Sequence, residues 1–249
     1  MRTQYHKRYS SSLNRDMEFK IYGHGGKPFI VFPSSGGSFY EYEDFGMVEA
    51  CKPFIEEGKI RLVTVESLDK SSWLNVEAEN GHKVHVHRCY ENYILQELIP
   101  AIRWDFGWDY GLGATGCSMG AYHTLNFFLK HPDVFDTVIA QSGIYDAGFF
   151  TGGNLDEGVY FDSPVHYLEG LQDPWFLEHY RKSRIIISTG LGRWEEETIR
   201  DTDAIGNFFN GKSVPAWIDY WGRDVDHDWP WWRIQMPYFL SKLAETGWI

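Results

Sequence analysis

The chain has 249 residues, enough for one large domain or two small ones, and its 43% hydrophobic content supplies a sizeable core. A formal net charge of -12 argues against nucleic acid and anionic membrane surfaces as partners, because both would repel it. No uninterrupted apolar run approaches the roughly 20 residues needed to span a bilayer, so no membrane partner is expected.

The first residues, MRTQYHKRYSSSLNRDMEF, are basic and lack the apolar segment of a secretory leader. Cys51, Cys89 and Cys117 are odd in number and widely spaced, which fits a reducing compartment and a cytoplasmic location better than a disulfide framework. Strand-like runs then follow at 17–22, 28–33, 60–65, 111–116, 137–142, 184–189 and 216–221. Several are continuously apolar, as expected of strands covered on both faces. Helix-like runs lie between them, near 41–57, 85–105, 119–130, 195–210 and 231–244. Strands alternating with helices predict a mainly parallel sheet with helices on both faces, with ligands bound at the carboxyl ends of the strands.

No repeat or linker interrupts this order, so residues 1–249 are expected to form a single domain. Residues 144–182 break the rhythm. They are rich in Gly, Asp and aromatics between two good strands, the pattern of a lid or substrate-facing insertion. Tryptophans crowd the last third, from Trp175 to Trp232, and fit either a bulky core or an aromatic-lined cleft.

Gly116-Cys117-Ser118-Met119-Gly120 fits the G-x-S-x-G pattern between a small-residue strand and the helix-like AYHTLNFFLK. A strand turning sharply into a helix leaves the serine oxygen exposed, and larger flanking side chains would collide in the turn. Ser118 is therefore a candidate nucleophile. The N–H of Met119 is placed at a helix start, where it can receive an oxyanion.

A serine hydroxyl needs a neighbouring base. His227, in GRDVDHDWPWW just past the last strand, has the required place in chain order. The acid that orients it is expected in TGLGRWEEETIRD, at Glu195 or Glu196, with Glu197 a further possibility. Asp226 and Asp228 adjoin His227 and would point away from it in an extended loop. His82, His85 and His87 have metal-like spacing but no companion cluster, so no metal or other cofactor is expected. The second oxyanion donor is expected in Ser34-Ser35-Gly36-Gly37-Ser38, as the N–H of Ser35. Gly36 and Trp229 are candidate substrate contacts.

The stretch GCSMGAYHTLNFFLKHPDVFDTVIAQSGIYD, with the late HDWPWW, resembles the esterase family of the α/β-hydrolase fold that includes esterase D, feruloyl and acetylxylan esterases, siderophore esterases and mycolyltransferases. The resemblance runs from about residue 17 to the C-terminus. It implies the α/β-hydrolase fold and a serine esterase acting on a small-molecule ester through an acyl-enzyme. It also implies roles for Ser118 as nucleophile, His227 as base, and Ser35 and Met119 as the oxyanion pocket. Two alternatives share these residues: an acyltransferase using the same triad, and a non-catalytic binding protein on the same fold. Three departures mark this chain. Pro33-Ser34 opens the anion loop in place of His-Gly or Asp-Gly, Ala121 replaces a second glycine, and the acid loop reads GLGRWEEE. Nothing in the sequence specifies an oligomeric state.

Overall fold

A computed structural model describes residues 1–249. Eight strands form one sheet: β1 (Thr3–Ser10), β2 (Arg15–Tyr22), β3 (Lys27–Phe32), β4 (Ile60–Val65), β5 (Leu112–Cys117), β6 (Phe135–Gln141), β7 (Arg184–Thr189) and β8 (Ala216–Tyr220). Their order is β1-β2-β4-β3-β5-β6-β7-β8. β1 and β2 form an antiparallel hairpin, β2 is antiparallel to β4, and every later pairing is parallel. β3 and β5 are buried along their whole length because helices cover both faces of the sheet there.

The seven strands read from the sequence are β2 to β8. β1 is an addition to that reading. Its segment, TQYHKRYS, is polar and mostly exposed, so no buried face marks it as a strand. The run near 41–57 is not one helix but three short turns, Glu41–Asp44, Met47–Ala50 and Lys52–Glu56. Gly46 breaks it with a left-handed φ of 74°, and Pro53 restarts it. The helix from residue 80 to residue 106 is continuous but widens into a π-turn at Tyr93–Leu98.

One face of the sheet packs on the helix Trp229–Glu245 and the short turns of 41–56, through Met236, Phe239, Leu240, Val48 and Ile55. The other carries the larger core, with the helices of residues 80–106, Met119–Lys130, Pro174–Lys182 and Glu196–Gly211. Met119–Lys130 is buried along almost its full length, so every face of it has a packing partner. Residues 144–182 fold as short helical turns at 147–151, 157–160 and 164–167, followed by Pro174–Lys182. Leu168, Leu177 and Tyr180 tie this segment into the core.

Strand order reverses between β3 and β5. In the sheet Phe32 lies opposite Gly116, so the loops leaving these two strands start side by side. That adjacency brings the loop at Ser34 to the turn at Ser118, as expected at a switch point of an open α/β sheet.

Candidate active site

The turn at Ser118 is sterically specified. Ser118 has φ 57° and ψ -119°, a conformation that L-residues rarely adopt and that is held here by its surroundings. A Cβ on Gly116 would lie 2.5 Å from the Gly120 carbonyl carbon, and one on Gly120 would lie 2.2 Å from the Phe32 oxygen. Only glycine fits either place. The result is a half-buried hydroxyl above the carboxyl edge of the sheet, at the start of the helix Met119–Lys130.

His227 reaches this hydroxyl from the loop after β8, three strands from β5 in the sheet. Its Nε2 lies 2.9 Å from Ser118 Oγ, and its Nδ1 lies 3.2 Å from Glu195 Oε2. With Glu195 ionised, Nδ1 carries the proton and donates to the carboxylate. Nε2 is then left to accept the hydrogen of Ser118. The ring of Trp232 meets the imidazole edge-on at 5.0 Å.

Glu195 is fully buried at the N-terminal boundary of the helix Glu196–Gly211, where the helix dipole favours an anion. Its carboxylate accepts from Ser142 Oγ at 2.7 Å, from the Gly190 N–H at 3.3 Å and from Thr189 Oγ1 at 3.2 Å. Thr198 closes the set. Burial pushes the acid up, but the hydrogen bond and charge of His227, with Thr198 and Ser142, outweigh it and hold the carboxyl below its ordinary range. Ser142 is itself fixed by the Trp232 indole N–H at 3.1 Å.

The loops carrying Glu195 and His227 are clasped together. The Arg193 N–H and guanidinium both bind the Asp226 carboxylate, at 2.8 to 3.0 Å, and the His227 N–H donates to the Arg193 carbonyl at 3.1 Å. Asp226 is therefore a latch, and Asp228 accepts the Trp229 N–H at 2.7 Å as the cap of the last helix. Neither competes with Glu195 for the imidazole. Of the two acids expected at His227, Glu195 is there. Glu196 is not: it begins the helix on its outer side and is exposed, as the helical turn points consecutive residues in different directions.

Ser35 lies against Met119, with its hydroxyl 3.9 Å from the thioether sulfur. The Ser35 N–H donates to no acceptor in the protein, and the Met119 N–H belongs to the open first turn of its helix. The loop that presents Ser35 is held from beneath by a buried carboxylate that sequence reading missed. Glu41 accepts the Ser34 N–H and the Ser34 hydroxyl, each at 2.7 Å. A Cβ on Gly37 would lie 2.3 Å from Glu41 Oε1, so the acid takes the space a side chain there would need. Burial pushes Glu41 above the usual carboxylate range.

Gly36 follows Ser35 with φ 63° and is half-buried. Trp229, the other expected substrate contact, is only 7% exposed. Its face stacks on Phe45 at 4.7 Å and its edge meets Trp232, so it is a packing residue. His82, His85 and His87 do not converge, since the first two are exposed and the third is buried. His87 instead joins Glu91 and Asp162 in a buried group whose carboxylates receive the ammonium of Lys130 at 2.6 and 2.8 Å.

Comparison with known proteins gives the same architecture. A ferulic acid esterase superposes with a TM-score of 0.76 at 16% identity, over 98% of this chain and 97% of the other. An S-formylglutathione hydrolase from Staphylococcus aureus gives 0.69 at 14% identity, covering 97% and 98%. One from Agrobacterium tumefaciens gives 0.68 at 16%, covering 98% and 94%. No curated protein sequence matches the chain. Residues 10–243 match the family described as "Putative esterase". The chain belongs to that family and is a carboxylic ester hydrolase of the α/β-hydrolase fold.

Proposed function

We propose that the chain hydrolyses a small-molecule carboxylic ester through a Ser118–His227–Glu195 triad and an acyl-enzyme. The observation that carries this reading is the placement of one imidazole between the Ser118 hydroxyl, at 2.9 Å, and the buried Glu195 carboxylate, at 3.2 Å. Ser118 Oγ attacks the ester carbonyl while His227 Nε2 takes its proton. The carbonyl oxygen becomes an oxyanion held by the N–H groups of Met119 and Ser35, a contribution of about 3 kcal/mol per donor. His227 then gives its proton to the departing alcohol and leaves the acyl group on Ser118. Water repeats the sequence, releasing the acid and restoring the serine. Glu195 fixes the imidazole tautomer and stabilises the imidazolium at both stages.

The chain acts as one domain in this reading, and the start of 144–182 forms a substrate-facing wall. Phe150 and Leu155 support that role, because they pack on the small apolar cluster that contains Met119, and Phe149 beside them is exposed. The free thiols of Cys51, Cys89 and Cys117 support a reducing compartment, with the cytoplasm as the proposed location. No helix is long and apolar enough to cross a membrane.

The test is an ester panel of varied acyl length and leaving group, run on the wild type and on Ser118→Ala. Hydrolysis that falls about 1000-fold or more in the variant is the expected result. Equal rates in the two proteins overturn the triad. Ester products with an added alcohol, in excess over the free acid, would mark an acyltransferase.

A further inference from the structure

The anion loop has a neighbour that the triad does not use. Lys70 lies on the short turn Asp69–Ser71, is exposed, and has its side chain beside Gly36, the residue after the proposed Ser35 donor. A Cβ at position 36 would lie 2.9 Å from Lys70 Cε, 3.6 Å from its Cγ and 3.7 Å from Leu74 Cδ1. Glycine at 36 thus leaves room for the lysine stem beside the loop that carries Ser35.

Lys70 is also unpartnered. Lys20, Lys27 and Lys130 each meet a carboxylate, whereas Lys70 makes neither an ion pair nor a hydrogen bond. The acid next to it in sequence is turned inward. Asp69 is 1% exposed and lies 2.8 Å from the Nε2 of His123, which is equally buried on the helix that follows Ser118. The Leu74 N–H closes on the Asp69 carbonyl at 2.8 Å, and the Ser72 hydroxyl on the Leu68 carbonyl at 3.0 Å. The turn is therefore anchored through Asp69 to the helix that begins at Met119, while Lys70 is exposed. In a protein of net charge -12, an open cation at this place has a chemical consequence. It offsets a field that would otherwise repel anionic substrates.

We infer that Lys70 is a specificity-determining residue that selects esters bearing a carboxylate, with Leu74 covering the adjoining apolar part of the substrate. This rests on the triad reading given above. An ammonium is a compact point charge on a flexible stem, so it suits a carboxylate at variable distance from the scissile carbonyl.

The experiment compares kcat/KM within two pairs of esters. In one, the charge is on the acyl side: mono-4-nitrophenyl succinate against 4-nitrophenyl butyrate. In the other it is on the alcohol side: 4-acetoxybenzoate against its methyl ester. For at least one pair, the anionic-to-neutral ratio is expected to fall about tenfold in Lys70→Met, equivalent to about 1.4 kcal/mol. It should recover in Lys70→Arg and shrink with added salt in the wild type. Lys182→Met removes an exposed lysine at the opposite, amino end of the strands and controls for overall charge. Ratios unmoved by Lys70→Met on both pairs overturn the inference, as does an equal fall in Lys182→Met. If neutral esters are cleaved by the wild type and not by Ser118→Ala, such a result leaves the triad standing and removes only Lys70. Failure of the wild type to cleave any ester removes both.

Discussion

Glu41 grips Ser34 twice, through the backbone N–H and through the hydroxyl, each at 2.7 Å. This pair holds the loop that continues into Ser35, whose N–H is the proposed oxyanion donor and whose hydroxyl lies 3.9 Å from the Met119 sulfur. Preorganised donors contribute to catalysis because they need not reorient as charge develops. Glu41→Ala is therefore expected to lower kcat about tenfold or more with a smaller change in KM, and Glu41→Gln, which keeps one acceptor oxygen, to lose less. Steady-state kinetics on one neutral ester checks the order. Equal kcat in all three proteins would mean the loop holds its shape without the acid.

The acid limb of stability follows from Glu195. Its hydrogen bonds and His227 hold its carboxyl below the ordinary value of 4.5 in the folded chain, against the upward push of burial. A depressed carboxyl contributes stability above its unfolded value and loses it as pH falls through the folded one. The melting-temperature gap between the wild type and Glu195→Gln should be widest near neutrality and narrow below pH 4.5. A gap that widens on acidification would contradict an ionised Glu195.

Gly120→Ala tests the steric logic of the turn. Its methyl would lie 2.2 Å from the Phe32 oxygen and 2.7 Å from that of Pro33, both backbone atoms at the root of the anion loop. Destabilisation of about 2–4 kcal/mol by denaturant unfolding is expected, with a loss of activity in the fraction that stays folded. Wild-type stability would show that the backbone can move aside.

Asp226 and Arg193 make a different prediction, because their bonds are solvent-exposed. Asp226→Ala frees the His227 loop from the Glu195 loop without opening the core. A several-fold fall in kcat with KM and melting temperature nearly unchanged is the expected pattern. A fall in stability with full kcat in the folded protein would assign the latch to folding instead.

Much of this arrangement is legible in the sequence because burial on both faces leaves long apolar runs, which is why β2 to β8 can be read directly. β1 cannot, since Thr3–Ser10 is a mostly exposed edge with no buried stripe. Chain order locates Ser118 and His227. It does not separate Glu195 from Glu196, because that choice depends on which one turns inward at the start of a helix. Glu41, Ser142 and Thr198 are silent in the sequence for a related reason. Each acts through a hydrogen bond set by three-dimensional packing, and the residue types alone are common. Trp229 misleads for the opposite reason: an aromatic beside His227 suggests a substrate platform, but Phe45 covers its face.

The most direct measurement is the mass of the intact protein, followed by peptide mapping, after reaction with a fluorophosphonate. Nucleophilic attack on phosphorus requires the same activated hydroxyl as attack on an ester. One adduct is expected, located on the peptide containing Ser118, with its rate of formation reduced about 1000-fold or more in His227→Ala. An unlabelled wild-type protein, an adduct on another residue, or undiminished labelling in His227→Ala would contradict the account.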